Sequence, residues 1–205
     1  MPNQKIIQIS AYKKAQNQKK FQMLFFIILL AALLGGFLWN KFVEDAQNLD
    51  VEIPESKNIS YDISKSLPMT TAQVAQAFED ADNKPILLYI YTTWCGICSK
   101  NFPIINEIAR EFQNTDLQVI AIAIDRNLEP TVLGEYLGSF GNVYFQPRFL
   151  SFKEGFIEFL QKKQIRYGGK IPYTALISRD GEVATKFTGV KSKNYLRNKV
   201  IAELY

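Results

Sequence analysis

The chain has 205 residues, 47% of them hydrophobic, with 24 basic side chains, 20 acidic ones and no histidine. That apolar share excludes a disordered tail, the length suits one ordinary domain with an appendage, and the absence of histidine leaves two cysteines as the conspicuous chemistry. The net charge of +4 is local: Lys5, Lys13, Lys14, Lys19 and Lys20 lie in the first twenty residues with no acid among them.

A basic cluster of this kind is one form a nucleic-acid arm takes, but the next segment argues for a membrane and against nucleic acid. Residues 21–39, FQMLFFIILLAALLGGFLW, hold no charge and at 1.5 Å per residue reach about 28 Å, close to the hydrocarbon thickness of a bilayer. An uncleaved transmembrane anchor over 21–40 is expected. A buried core helix would rarely be apolar on every side, and a cleaved signal peptide has a shorter apolar run and a small-residue site that NKFVEDAQ does not offer. Five lysines precede the span, whereas residues 41–57 set two lysines against Glu44, Asp45, Asp50, Glu52 and Glu55. The positive-inside tendency therefore places residues 1–20 in the cytoplasm and the rest on the periplasmic or extracellular side of a single-pass inner (cytoplasmic) membrane protein. Disulfides persist there.

Residues 41–67 are polar and acidic and read as a linker, with one short strand near NISYDI; the folded domain is expected over 68–205. Thr70 or Thr71 caps a short amphipathic helix running to about residue 81. PILLYIYT, 85–92, is a continuous apolar run, the pattern of a strand covered on both faces. TTWCGICSK follows, and NFPIINEIAREF then repeats apolar residues at helical spacing. LQVIAIAID, 117–125, is a second buried strand, so strand, helix and strand form a right-handed crossover. PTVLGEYLGSF reads as a helix, NVYF as a short strand and KEGFIEFLQKK as another helix. YTALIS and EVATKFTG, joined by a turn with Asp180 and Gly181, form a hairpin, and a last helix starts near residue 192. The fold class is α/β, a mixed sheet flanked by helices.

Two cysteines separated by two residues admit several chemistries. Structural zinc wants four ligands, and two thiols without histidine supply half of them. Covalent haem attachment wants histidine after the second cysteine, where Ser99 stands. Two inert core cysteines remain an alternative. A redox pair explains the placement: Cys95 follows a buried strand and opens a helix, where unpaired amides and the helix dipole favour thiolate. Cys95 is then the nucleophile, and Cys98, one turn further in, resolves the mixed disulfide.

WCGIC at the end of an apolar strand resembles a thioredoxin active site. The likeness extends to Pro103, eight residues past Cys95 where thioredoxins carry a proline within the helix, and to IPYTALISRDGEV, similar to their cis-proline loop and hairpin. With the N-terminal anchor and the added elements between Asp125 and Tyr167, the chain is most similar to membrane-anchored TlpA-like thiol-disulfide oxidoreductases, the group that includes cytochrome c maturation reductases. That resemblance covers about residues 68–205. It implies a cis Ile171–Pro172 bond opposite the cysteines, with Ile171's backbone free to pair with a substrate chain and Trp94 shaping the substrate surface. Plain core packing is the competing account of Trp94.

Three positions depart from the family pattern. Tyr89 stands where many thioredoxins have a buried acid, Asn101 where some maturation reductases have a glutamate, and Tyr173 where threonine is common. Glu107 is an acid-base candidate only by nearness in sequence, with a solvated helix face as the alternative. The Gly96-Ile97 dipeptide is uncharged, so thiolate stabilisation rests on the helix terminus. Phe145, Phe149, Phe152, Phe156 and Phe159 are expected to pack internally, with a partner-docking surface as the alternative, and Gly168-Gly169-Lys170 to form a flexible approach to Pro172.

The resemblance implies reduction of disulfides in protein substrates outside the cytoplasm, for example in cytochrome c maturation, with electrons from a membrane thiol donor and no cofactor or metal. The alternatives are a disulfide-donating oxidase or isomerase, a copper(I)-handling assembly factor, and an anchor with a vestigial redox fold.

Overall fold

The structure, a computed structural model, describes residues 60–62, 66–150 and 153–205. The basic tail, the expected anchor over 21–40 and most of the linker lie outside them. Among the described residues no helix is long and apolar enough to cross a membrane.

A three-residue strand, β1 (Leu67–Met69), starts where the linker was expected to end. Helix α1 (Thr71–Glu79) follows, opened by a reciprocal cap: the Thr70 hydroxyl accepts from Gln73 N–H, and the Gln73 side chain accepts from Thr70 N–H at 2.9 Å. Then come β2 (Ile86–Tyr91), α2 (Gly96–Glu111), β3 (Gln118–Ala123) and α3 (Pro130–Gly138), followed by β4 (Arg148–Leu150) and α4 (Phe156–Lys162). The chain closes with β5 (Tyr173–Ile177), β6 (Val183–Thr188) and α5 (Lys193–Leu204), whose first turn the Ser192 hydroxyl caps.

The strands form one sheet in the order β1-β4-β3-β2-β5-β6. The pairs β1–β4, β4–β3 and β3–β2 are parallel; β2–β5 and β5–β6 are antiparallel. The central strand explains the sequence pattern that announced it. Leu87, Tyr89 and Tyr91 of β2 pack with α2 and α5 on one face, and Ile86, Leu88 and Ile90 pack with α1 and α4 on the other. With helices on both sides, period-2 alternation has no solvent face to mark, so every residue is apolar or aromatic. β6, at the sheet edge, shows the contrary pattern: burial alternates along it. Pro68 fits β1 for a related reason, since an edge strand tolerates a residue without an N–H.

Two local expectations require correction. NVYF does not form a sheet strand: Val143 makes an isolated antiparallel bridge to Tyr61, and the strand lies at Arg148–Leu150. Asn106 of α2 is the cause. Its amide donates to Asn142 C=O at 2.8 Å and its carbonyl accepts from Tyr144 N–H at 2.9 Å, so the segment docks on α2 before the chain reaches the sheet. NISYDI likewise contributes only the Tyr61 bridge among its described residues.

Of the phenylalanines between 145 and 159, Phe145, Phe149 and Phe156 are buried, and Phe159 packs edge-on against Phe78 at 5.2 Å. Internal packing is their role. Phe152 lies outside the described residues.

Candidate functional site: a cysteine pair at a helix start

The register of β2 and β5 assembles the site. Ile90 lies opposite Tyr173, so the chain leaving β2 through Thr92 and Cys95 and the chain entering β5 through Ile171 and Pro172 meet at one end of the sheet. The Ile171–Pro172 bond is cis, as the resemblance implied. Pro172 C=O accepts from Gly189 N–H at 3.0 Å, which ties the loop to the end of β6. Among the described residues nothing pairs with the Ile171 N–H or C=O, and its side chain packs against the core cluster that contains both cysteines.

Cys95 is the N-cap residue of α2, with extended backbone angles (φ −85°, ψ 105°), and its Sγ accepts from Cys98 N–H at 3.1 Å. A sulfur thus occupies the place where serine or aspartate usually accepts from the first turn. The same N–H is available to a thiolate when the pair is reduced. The two cysteines are joined as a disulfide with Cα atoms 5.1 Å apart, so the structure describes the oxidised state. Cys98 is fully covered and Cys95 is 8% exposed. The order of access is the expected one, although Cys95 is more covered than a freely exposed sulfur.

Trp94 is 74% exposed and Ile97 53%, which removes core packing as an account of Trp94. Cys95 is therefore flanked by two exposed apolar side chains, and the 260 Å³ cleft bordered by Ile86, Ile177 and Lys163 lies at the opposite end of the sheet.

Beneath the pair, Tyr89 fills the place where a buried acid was missing. It is fully buried, its hydroxyl donates to Cys98 C=O at 3.2 Å, and its ring stacks on Tyr91 at 5.0 Å. Burial pushes the Tyr89 hydroxyl far above the ordinary tyrosine range, Tyr136 adding to the shift and Asn101 opposing it. Asn101 is buried beside it. Neither group titrates at working pH, so neither replaces a carboxylic acid.

Glu107 is settled by its partners. It pairs with Arg110 on its own helix and with Lys193 of α5 at 3.2 Å. The Arg110 hydrogen bonds, strengthened by Lys193, lower its carboxyl to about 2, so it is an ionised structural group.

Sequence reasoning missed Asp125. It is the one buried carboxylate among the described residues, and it accepts from Thr93 N–H at 3.0 and 3.1 Å and from the Thr93 hydroxyl at 2.6 Å. The available signal was an acid ending the run LQVIAIAID, apolar after Gln118, just past the strand that neighbours the cysteine strand. No group of three or more metal-ligating side chains gathers among the described residues.

Comparison with known proteins agrees with this geometry. The thiol-disulfide oxidoreductase ResA of Bacillus thuringiensis (strain Al Hakam) is 26% identical over 183 residues, spanning 87% of this chain and 94% of that protein. Chloroplastic thioredoxin Y2 of Arabidopsis thaliana is 28% identical over 110 residues, 52% of this chain; the matched part spans 58% of that relative's length. A thioredoxin-family thiol:disulfide interchange protein from Chlorobium tepidum TLS has the same fold, with a TM-score of 0.54 at 19% identity over 76% of this chain and 99% of that one. The sheet order, the cysteine pair at a helix start and the cis-proline loop are those of a thioredoxin-like fold. Residues 50–203 match the Redoxin family, and the chain belongs to that family.

Proposed function

We propose that the thiol-disulfide oxidoreductase activity of this chain is directed at disulfides in other proteins outside the cytoplasm, in the reducing direction, from a membrane anchor at residues 21–40. The observation that carries the protein-substrate reading is the site's shape. Cys95 is flanked by the exposed apolar side chains of Trp94 and Ile97, and the adjoining Ile171 backbone has no hydrogen-bond partner among the described residues. A small thiol needs neither; an extended polypeptide uses both.

In the reducing direction Cys95 thiolate attacks one sulfur of a substrate disulfide. A Cys95–substrate disulfide forms, the substrate S–S bond breaks and one substrate thiolate leaves. Cys98, deprotonated, then attacks Cys95 Sγ, closes the Cys95–Cys98 disulfide and releases the second substrate sulfur. The two substrate sulfurs take up the two protons that the cysteines lost, and two electrons pass to the substrate. Trp94, Ile171 and Pro172 bind the substrate chain around the attacked bond. Re-reduction on that side of the membrane calls for a membrane thiol-electron donor; the 26% identity to the thiol-disulfide oxidoreductase ResA over most of both chains supports the exchange chemistry, and the extracytoplasmic setting, for example cytochrome c maturation, rests on the expected anchor and the resemblance to TlpA-like reductases.

Trapping tests this reading. The full chain carrying Cys98→Ala, expressed in its host, should accumulate mixed disulfides on Cys95 that release identifiable proteins on reduction. Absence of captured protein while wild-type Cys95–Cys98 cycles would refute a protein-disulfide substrate, and a strongly oxidising equilibrium with glutathione would reverse the direction assigned here.

A further inference from the structure

We propose that Asp125 is a positioning residue for the cysteine loop and that its negative charge makes the pair more reducing; this rests on the reading that Cys95 and Cys98 cycle between thiol and disulfide. The β2–β3 ladder continues past the strands, with Ile124 N–H donating to Tyr91 C=O at 2.8 Å. Asp125 and Thr93 are thereby brought together at the tips of adjacent parallel strands. Both oxygens of the Asp125 side chain accept from Thr93 N–H, and one also accepts from the Thr93 hydroxyl, an acceptor-only pattern that an ionised carboxylate satisfies. Cys95 N–H in turn donates to Thr92 C=O at 3.4 Å, so the clamp on Thr93 lies inside the turn that sets Cys95, the N-cap residue of α2.

The group is also an anion in a place where solvent screens little, since Asp125 is 6% exposed and no ion pair reaches it among the described residues. The titratable groups that face it are Tyr91 from β2 and Tyr136 from α3. For both hydroxyls burial is the main cause of an upward shift, and the Asp125 charge adds to it. One residue, Trp94, separates Thr93 from Cys95, and two Cα–Cα steps plus the side chains put the carboxylate on the order of 10 Å from the Cys95 sulfur. At an effective dielectric constant near 20, a negative charge at that distance raises a thiol pKa by about one unit. The helix start favours the thiolate and Asp125 opposes it. Opposition destabilises the reduced, thiolate-bearing form, so the pair gives up its electrons more readily.

The test measures the Cys95 thiolate by ultraviolet absorbance against pH, and the equilibrium with glutathione, in the full chain and in three variants. Asp125→Asn and Asp125→Ser keep an acceptor for Thr93 and remove the charge. Each should lower the Cys95 pKa by about one unit and move the glutathione equilibrium about tenfold toward the dithiol, about 30 mV for a two-electron couple. Thr93→Val removes the hydroxyl bond but keeps the charge, and should leave the pKa at or above that of the parent. Unchanged pKa and equilibrium in whichever of the two charge-removing variants folds would overturn the inference, as would an equal downward shift in Thr93→Val, which marks loop geometry alone. Failure of the parent chain to reduce insulin disulfides would count against the function proposed above, while the thiolate titration still judges Asp125.

Discussion

Two aromatic residues beside the cysteines, Trp94 and Tyr89, separate stability from recognition. Trp94 is largely exposed, so Trp94→Ala should change the unfolding free energy by no more than about 0.5 kcal/mol. It should raise KM for a protein disulfide several-fold while leaving reduction of a small disulfide near the parent rate. An equal loss on both substrates would mean that the indole acts on the thiols themselves. Tyr89 has the opposite profile. Its buried hydroxyl donates to Cys98 C=O, and Tyr89→Phe should cost about 1 kcal/mol. Because burial holds that hydroxyl protonated throughout the working range, the variant should keep the parent's pH-rate profile; an alkaline limb that moves would make Tyr89 a proton carrier. The site was legible in the sequence as far as short-range chemistry defines it. Cys95 and Cys98 are marked by spacing and neighbours, and the cis Ile171–Pro172 bond by the family resemblance of the segment that holds it. Asp125 was not legible, because its value depends on the β2–β3 register that brings it to Thr93 across 32 residues of chain.

At the scale of elements, α2 is fastened to α5 by a chain of ion pairs. Glu107 joins Arg110 and Lys193, and Glu111 joins Lys193 at 3.2 Å and Arg197. Glu107 has a folded pKa near 2, below its ordinary 4.5. The pairing therefore stabilises the fold above about pH 4.5 and is lost as the pH falls from there toward 2. With its side chain about a third exposed, solvent screening limits the gain to about 1 kcal/mol or less. Glu107→Gln should lower the urea midpoint slightly at pH 7 and by less at pH 2; a larger loss at the lower pH would contradict the sign. The same helix shows why parts of the fold stayed hidden. β2 and β3 were legible because helices on both faces make β2 continuously apolar and β3 apolar after Gln118. The strand after α3 was misplaced because Asn106 claims the backbone of Asn142 and Tyr144 from 36 and 38 residues away. Nothing within NVYF records that contact.

For the whole molecule, the sulfur chemistry and the proposed topology constrain each other. A dithiol that repeatedly reduces proteins must be re-reduced, and on the outer side of a membrane soluble cytoplasmic reductants have no access. Under the proposed function, anchoring near a membrane thiol donor would resolve that difficulty, and the lysine excess before residue 21 would, by the positive-inside tendency, set the domain on the outer side. The full chain should therefore remain in the membrane fraction after an alkaline wash. A membrane-impermeant maleimide applied to intact cells or spheroplasts after mild reduction should label Cys95. Labelling only after lysis would place the pair in the cytoplasm and remove the need for a membrane donor. A chain lacking residues 1–40 should reduce insulin disulfides in vitro within about twofold of the full chain, because both cysteines, the cis-proline loop and the core beneath them lie in the 66–205 region. In the cell the same truncated chain, kept in the cytoplasm, should leave extracytoplasmic substrates oxidised. If it restored their reduction from there, the anchor would be dispensable and the link between topology and electron supply would be broken.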